Sequence, residues 1–394
     1  MVRSRVGLTS GPEPVPLDIS IAEAELDELR TRLRRTRWPA DPGNPGGRYG
    51  VRREWLEDLV DHWAERYDWR AAEAAMNRYD QFVVDLDGIP VHYLRVAGTG
   101  PSPMPLVLTH GWPWTFWDLR KVVDALADPA AHGGDAADSF DVVVPSLPGF
   151  GFSVPLRTTG VDAPRIAELW VRLMCDVLGY ERFGAQGADF GAIVTAQLGH
   201  AHADRLTGIY LTMATVPGVA FAQRPELHAP DERWMVERAR EVRASTEAHV
   251  AVQRRDPQTL SYAMADSPTG LGAWLWERRD AWCDGDALEV FGHDDLCTLA
   301  SLYWFNTSFA SSVRVYAEQL TKAWPLAHDR ARVVDAPTGV GVFKKDIVFL
   351  PRAVVERTTD LRRWEVFDRG GHFAPVERPE VVVDELRAFF RDLR

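Results

Sequence analysis

Hydrophobic positions near the start of the chain recur with a helical period. Ile21, Leu26, Leu29 and Leu33 describe one apolar face, and Ser20 with Glu23 has the spacing of a capping box, so a helix is expected to begin at Ser20 and stop at Trp38-Pro39. A Gly/Pro loop covers Asp41 to Gly50. Trp55, Leu59, Trp63 and Tyr67 then line one side of a second helix, and Trp69 to Tyr79 reads as a third. Phe82–Leu86 and Ile89–Val96 flank Asp87-Gly88, which is a short-range hairpin signal. Residues 1–100 show no chemistry of their own. Their apolar helical faces need a surface to lie on, so the segment reads as an arm packed on a catalytic core.

From Leu106 the period shortens to buried strands alternating with helices. Strands are predicted at Leu106–Thr109, Val142–Val144 and Leu206–Thr212, with a helix over Ala163–Leu178. A short, partly apolar run at Tyr180–Phe183 leads into a glycine turn, and Ile193–Leu198 resumes helical spacing. This alternation predicts an α/β fold over residues 101–216, with a mostly parallel sheet covered on both faces. It stops at Pro217. Arg233–Ala251, Leu271–Trp282 and Asp294–Leu320 are helix-prone without a core strand, so residues 217–325 read as an inserted helical cap. Core strands return at Gly339–Phe343 and Trp364–Phe367, and the amphipathic run Val381–Leu393 closes a second core segment, residues 326–394.

Charge narrows the partners. The net charge is -12 and no Lys/Arg run is present, which argues against nucleic acid and against an anionic membrane surface. Met1 to Ser20 has no continuous apolar run, so neither a signal peptide nor a membrane span is expected. Cys175, Cys283 and Cys297 are widely spaced, in keeping with reduced thiols and a cytoplasmic location. Tryptophan is frequent after residue 270, as an aromatic-lined pocket or a heavily packed cap would require.

Three candidate loops follow predicted strands, His110–Pro113, Pro148–Ser153 and the turn at Asp189, and further candidate chemistry comes after the later strands. Gln186-Gly187-Ala188-Asp189-Phe190-Gly191-Ala192 places a carboxylate at a strand-to-helix turn, the position of a nucleophile elbow, where neighbouring glycines give room. Taken alone, the same string describes a glycine-rich connection with a helix-capping aspartate. Arg369-Gly370-Gly371-His372-Phe373 follows the last strand, where an imidazole can swing over the strand ends as a general base. Asp346, after the strand ending at Phe343, is the carboxylate best placed to orient His372, with Asp360 and Asp368 as competitors. The order nucleophile, acid, histidine fits the α/β-hydrolase arrangement. An aspartate nucleophile attacks saturated carbon, which favours epoxides or alkyl halides and needs no cofactor or metal. Backbone amides of Trp112 and Phe190 are candidates for the oxyanion hole.

Four motifs in order, His110-Gly111-Trp112-Pro113, Pro148-Gly149-Phe150-Gly151-Phe152-Ser153, Gly187-Ala188-Asp189-Phe190-Gly191 and Gly370-Gly371-His372-Phe373, resemble those of microsomal-type epoxide hydrolases. Arg37-Trp38-Pro39 and Tyr67-Asp68-Trp69-Arg70 resemble that family's N-terminal domain, and the likeness runs from about Pro16 to the end. It implies an α/β-hydrolase fold with an N-terminal arm and an inserted helical cap. It also implies Asp189 as nucleophile, His372 as base, Asp346 as third acid and Tyr316 as one of two cap tyrosines that hydrogen-bond the epoxide oxygen. Counting back from Asp266-Ser267-Pro268, the second tyrosine position holds His249. An imidazole can donate, but its charge changes near neutral pH, which would make ring activation pH-sensitive; Tyr262 or Tyr303 could serve instead, or one tyrosine could suffice. Trp114 stands where relatives carry a small residue. The membrane anchor of the microsomal relatives is not expected here.

The reading is therefore hydrolysis of a bulky, aromatic or polyketide-type epoxide, in a natural-product setting that only the resemblance suggests. His110, Trp114 and Trp304 are the substrate-binding candidates. Epoxide opening by an internal nucleophile, as in a cyclase or coupling enzyme, and haloalkane dehalogenation are the competing chemistries. The partner is a small-molecule epoxide, and a packed arm fits a monomer or a homodimer alike.

Overall fold

The computed structural model describes residues 12–219 and 225–394. Residues 1–11 of the N-terminal reading and residues 220–224 of the cap reading lie outside the described residues. In chain order the elements are β1 (Val15–Pro16), α1 (Glu23–Arg34), α2 (Arg53–Glu65), α3 (Trp69–Met76), β2 (Asp80–Leu86), β3 (Ile89–Val96), β4 (Met104–Thr109), α4 (Arg120–Ala127), β5 (Phe140–Pro145), α5 (Ala163–Val171), β6 (Phe183–Gly187), α6 (Phe190–Ala201) and β7 (Leu206–Leu211). The helical run α7 (Arg233–Glu241), α8 (Arg243–Arg255), α9 (Pro257–Asp266), α10 (Pro268–Trp282), α11 (Ala287–Val290), α12 (Gly292–Phe305) and α13 (Phe309–Leu320) follows. The chain closes with β8 (Val334–Lys345), α14 (Arg352–Thr358), β9 (Thr359–Gly371), α15 (Ala374–Glu377) and α16 (Pro379–Arg391).

One sheet runs in the order β1-β2-β3-β5-β4-β6-β7-β8-β9. Its pairs from β5 to β9 are parallel, whereas β1, β2 and β3 are antiparallel to their neighbours. The two faces follow from strand alternation. Leu106 and Leu108 of β4 pack with Val122 and Leu126 of α4 and Phe389 and Phe390 of α16, while Val107 packs in the cluster that holds Ile166 and Trp170 of α5 and Val194 and Leu198 of α6. The fold is thus an α/β-hydrolase core with the helical run inserted between β7 and β8. The hairpin signal is realised: Leu86 pairs with Ile89, and Asp87 and Gly88 both take positive φ, 59° and 78°.

Several local expectations are corrected. Ser20 does not cap α1; Ala22 occupies the N-cap without a side-chain bond, and the Ile21 amide donates to Glu73 across the arm at 2.8 Å. Glu73 thus ties the residue before the N-cap to α3. The stretch 233–251 is divided at Val242, and 294–320 is divided at Asn306–Ser308, where Thr307 adopts φ 47°. The arm meets more than the core: β2 and β3 extend the sheet, but the helices lie on the cap. Trp63 Nε1 donates to Ser301 Oγ at 2.9 Å, and Tyr67 Oη shares a hydrogen bond with Thr298 of α12 at 2.9 Å.

Candidate active site

The site is built where β4, β6, β8 and β9 end. Every residue of β6 is buried, and the chain then turns so sharply into α6 that Asp189 takes φ 52° and ψ -125°. A non-glycine residue held there stores about 1–3 kcal/mol of strain, tolerated where the surroundings enforce it. Room for the turn comes from its glycines: a Cβ on Gly187 would stand 2.1 Å from the Gly191 carbonyl oxygen. Gly111 has the same cause in the facing loop, since a Cβ there would lie 2.3 Å from Asp189 Oδ1. That approach lets the Trp112 amide donate to Asp189 Oδ1 at 2.7 Å. Phe190 opens α6, so its N–H has no acceptor within the helix and adds to the positive end of the helix dipole.

His372 stands on the other side of the carboxylate. Its Nε2 is 3.4 Å from Asp189 Oδ2, and its Nδ1 donates to Asp346 Oδ1 at 2.7 Å. Because a carboxylate accepts, that bond fixes the proton on Nδ1 and aims Nε2 at Asp189. Asp346 is itself held by the Ile347 amide at 2.6 Å. Asp360 and Asp368 pair elsewhere, with Arg362 and Lys344. Burial works against a charged imidazole at His372, yet the two carboxylates outweigh it and raise its pKa to about 9. Glu377 shapes the loop by accepting the amides of Asp284, Gly371 and Phe373 at 2.7, 2.8 and 2.9 Å. Nothing in sequence spacing marks Glu377 for this task.

Aromatic rings close the space above Asp189. The Tyr316 ring lies 4.7 Å from that of Phe190, 5.8 Å from Trp112 and 5.5 Å from His249. Burial, and then the charge on Asp189, raise the Tyr316 phenol well above its ordinary value, so it keeps its proton. Trp282, missed in the sequence because it ends an ordinary-looking cap helix, packs 5.3 Å from His372 and 4.9 Å from His249.

His249 stacks on Trp112 at 5.3 Å, with the ring planes 10° apart. Its expected charge change near neutral pH does not occur. Burial first, and the Arg278 cation second, depress its pKa to about 3. Nδ1 faces the Ser245 carbonyl at 3.4 Å, which requires a proton on Nδ1 and leaves Nε2 as an acceptor in the neutral ring. The alternatives to His249 fare no better: Tyr262 is 71% exposed, and the Tyr303 hydroxyl donates to the Trp114 carbonyl at 3.0 Å.

The three substrate-binding candidates have these surroundings. His110 is fully buried, with Nδ1 on the Gly111 carbonyl at 2.9 Å and Nε2 accepting the Leu147 amide at 3.1 Å. Both nitrogens are thereby used to hold two loops together. Trp114 is fully buried behind the histidine, its ring 5.9 Å from His372 and 5.2 Å from Phe373. Trp304 lies under the Arg32 guanidinium at 5.8 Å, in a groove of about 210 Å³ between arm and cap that is lined by none of Asp189, His372 and Tyr316. Among the described residues, no helix is long and apolar enough to cross a membrane, and no group of three or more His, Cys, Asp or Glu side chains is placed to hold a metal ion.

Comparison with known proteins agrees with this fold. Residues 14–119 match the family described as "Epoxide hydrolase N terminus", and residues 104–379 match "alpha/beta hydrolase fold". A protein of Stigmatella aurantiaca provisionally named an epoxide hydrolase is 38% identical over 383 residues, covering 96% of this chain and 85% of that one. Epoxide hydrolase 1 of Oryctolagus cuniculus is 28% identical, over 95% of this chain and 88% of its own. The solved structure of Aspergillus niger epoxide hydrolase superposes with a TM-score of 0.85 at 26% identity, covering 97% of each chain.

Proposed function

From the premise that this chain belongs to the epoxide hydrolases of the α/β-hydrolase superfamily, we propose that it opens its substrate through an alkyl ester on Asp189. One observation carries the reading. The Asp189 carboxylate has Oδ1 on the Trp112 amide and Oδ2 free of that bond and facing His372, with the Tyr316 phenol beside it. Oδ2 attacks an oxirane carbon, the ring C–O bond breaks, and its electron pair goes to the ring oxygen, which takes the proton of Tyr316. His372 then removes a proton from water, the resulting hydroxide adds to the ester carbonyl carbon, and the amides of Trp112 and Phe190 hold the oxyanion. The diol leaves with the oxygen that was Oδ2, protonated from His372; the new carboxyl group, which keeps one solvent oxygen, gives its proton back to His372, whose original proton has restored the Tyr316 phenol.

The perturbed histidine fits this order of events. While Asp189 is ionised, His372 holds its proton at neutral pH and cannot act as a base. Ester formation removes the Asp189 charge while Asp346 remains beside the ring, so burial is less opposed and the imidazole holds its proton less tightly once there is an ester to hydrolyse. The aromatic walls formed by Trp112, Trp282, Phe190 and Tyr316 support a bulky aromatic or polyketide-type epoxide as substrate, of the kind made in natural-product pathways. The test is a single turnover of styrene oxide with enzyme in excess in ¹⁸O-water. Unlabelled diol and label in the peptide bearing Asp189 are expected; labelled diol in that first turnover would mean direct attack of water on the epoxide.

A further inference from the structure

His249 leaves the site with a single phenol, and a group that complements it stands one turn further along the same helix. Gln253 of α8 is fully buried. Its Oε1 accepts the Trp274 indole N–H at 2.9 Å. Since an indole nitrogen only donates, this bond decides which end of the carboxamide is oxygen and turns Nε2 the other way. Nε2 is buried and has no well-formed hydrogen bond within the protein. The side chain it adjoins is Tyr316 of α13, which packs against α8. A buried amide N–H without an acceptor costs about 1–3 kcal/mol, so its retention at this point needs a reason.

We propose that Gln253 is a positioning residue for epoxide opening, donating from Nε2 to the Tyr316 phenol oxygen and so directing the phenol O–H at the ring oxygen. The bond has one sense only, because an amide nitrogen offers no lone pair to the phenol proton. As that proton moves to the ring oxygen, the same N–H faces a phenolate, and a hydrogen bond to an ionised partner is stronger than one to a neutral group. Its influence on the phenol is opposite in sign to that of burial and of the Asp189 charge. Gln253 thus favours proton release at a residue whose surroundings otherwise retain it. The inference rests on Tyr316 being the proton donor, as proposed above.

Gln253→Met keeps the length of the side chain and removes both polar groups. Ester formation and ester hydrolysis are to be timed separately by rapid acid quench with styrene oxide, in the wild-type and Tyr316→Phe backgrounds. With Tyr316 present, ester formation is expected to slow about 10- to 100-fold, the range for a lost hydrogen bond to a charged group, while hydrolysis stays within about twofold. In Tyr316→Phe, adding Gln253→Met is expected to change ester formation by no more than about twofold, since the two residues act as a unit. An unchanged rate in the wild-type background, or the same loss in both, would overturn the role of Gln253 alone. Wild-type ester formation by Tyr316→Phe itself would remove the proton donor and this inference with it. Should Gln253→Met not fold, Trp274→Phe frees the carboxamide to flip. It is then expected to slow ester formation about 3- to 10-fold, as losing one neutral hydrogen bond would, and only when Tyr316 is present; no change would overturn the proposal.

Discussion

A histidine buried between two carboxylates stabilises the fold in a definite pH window. The His372 pKa of about 9 lies above the ordinary value of about 6.5. Its contribution is therefore fully present below about 6.5 and is lost as pH rises through 9. Thermal unfolding of the wild type compared with His372→Gln is expected to show the wild-type advantage shrinking between pH 6.5 and 9.5; an advantage that grows over this interval would contradict the placement of His372. Residues such as Asp189, Asp346, His372 and Tyr316 could be singled out from glycine spacing and matched segments, because a sharp turn imposes composition on its neighbours. His110, Trp114 and Trp304 could not be sorted in that way, since a residue beside a motif reads the same whether it points into the site or supports it from behind. Gln253 carries no signal at all: its meaning depends on Trp274, 21 positions away, and on a helix that arrives later in the chain.

At the scale of elements, one guanidinium ties the cap to two loops of the candidate site. Arg279 of α10 is almost fully buried; it donates to the Pro113 carbonyl at 2.8 Å, pairs with Asp118 at 2.8 Å and lies 4.3 Å over the Phe373 ring. The loop bearing Trp112 and the loop bearing His372 are thus indexed to the same cap helix. Arg279→Met leaves Asp118 buried without its partner, and denaturant unfolding is expected to show a loss of about 3–5 kcal/mol, as for other broken buried pairs. A loss below about 1 kcal/mol would show that the pair does not hold these elements together. The elements themselves were mostly readable where period and length agreed, as in α2, α16 and the β2–β3 hairpin. Cap helix ends were not. The break at Thr307, where the Ser308 amide returns to the Tyr303 carbonyl, has no signal in the helical period, and the bond from the Ile21 amide to Glu73 joins residues 52 positions apart.

At the scale of the molecule, the alternation of strand and helix, its interruption and its return were enough to imply an α/β core with an insertion. What they could not convey is that the arm extends the sheet with its hairpin while its helices brace α12 of the cap, so segments far apart in sequence close one site. The consequence is an Asp189 carboxylate shielded on several sides, where the proposed ester would persist once His372 is replaced. The decisive measurement is the intact-protein mass of His372→Gln after exposure to bulky aromatic epoxides, followed by peptide mapping. The chemistry set out here predicts a gain of one whole substrate mass, located on the peptide bearing Asp189 and absent from the Asp189→Asn/His372→Gln double variant. Consumption of epoxide by the wild type with no adduct on Asp189 in His372→Gln would contradict it.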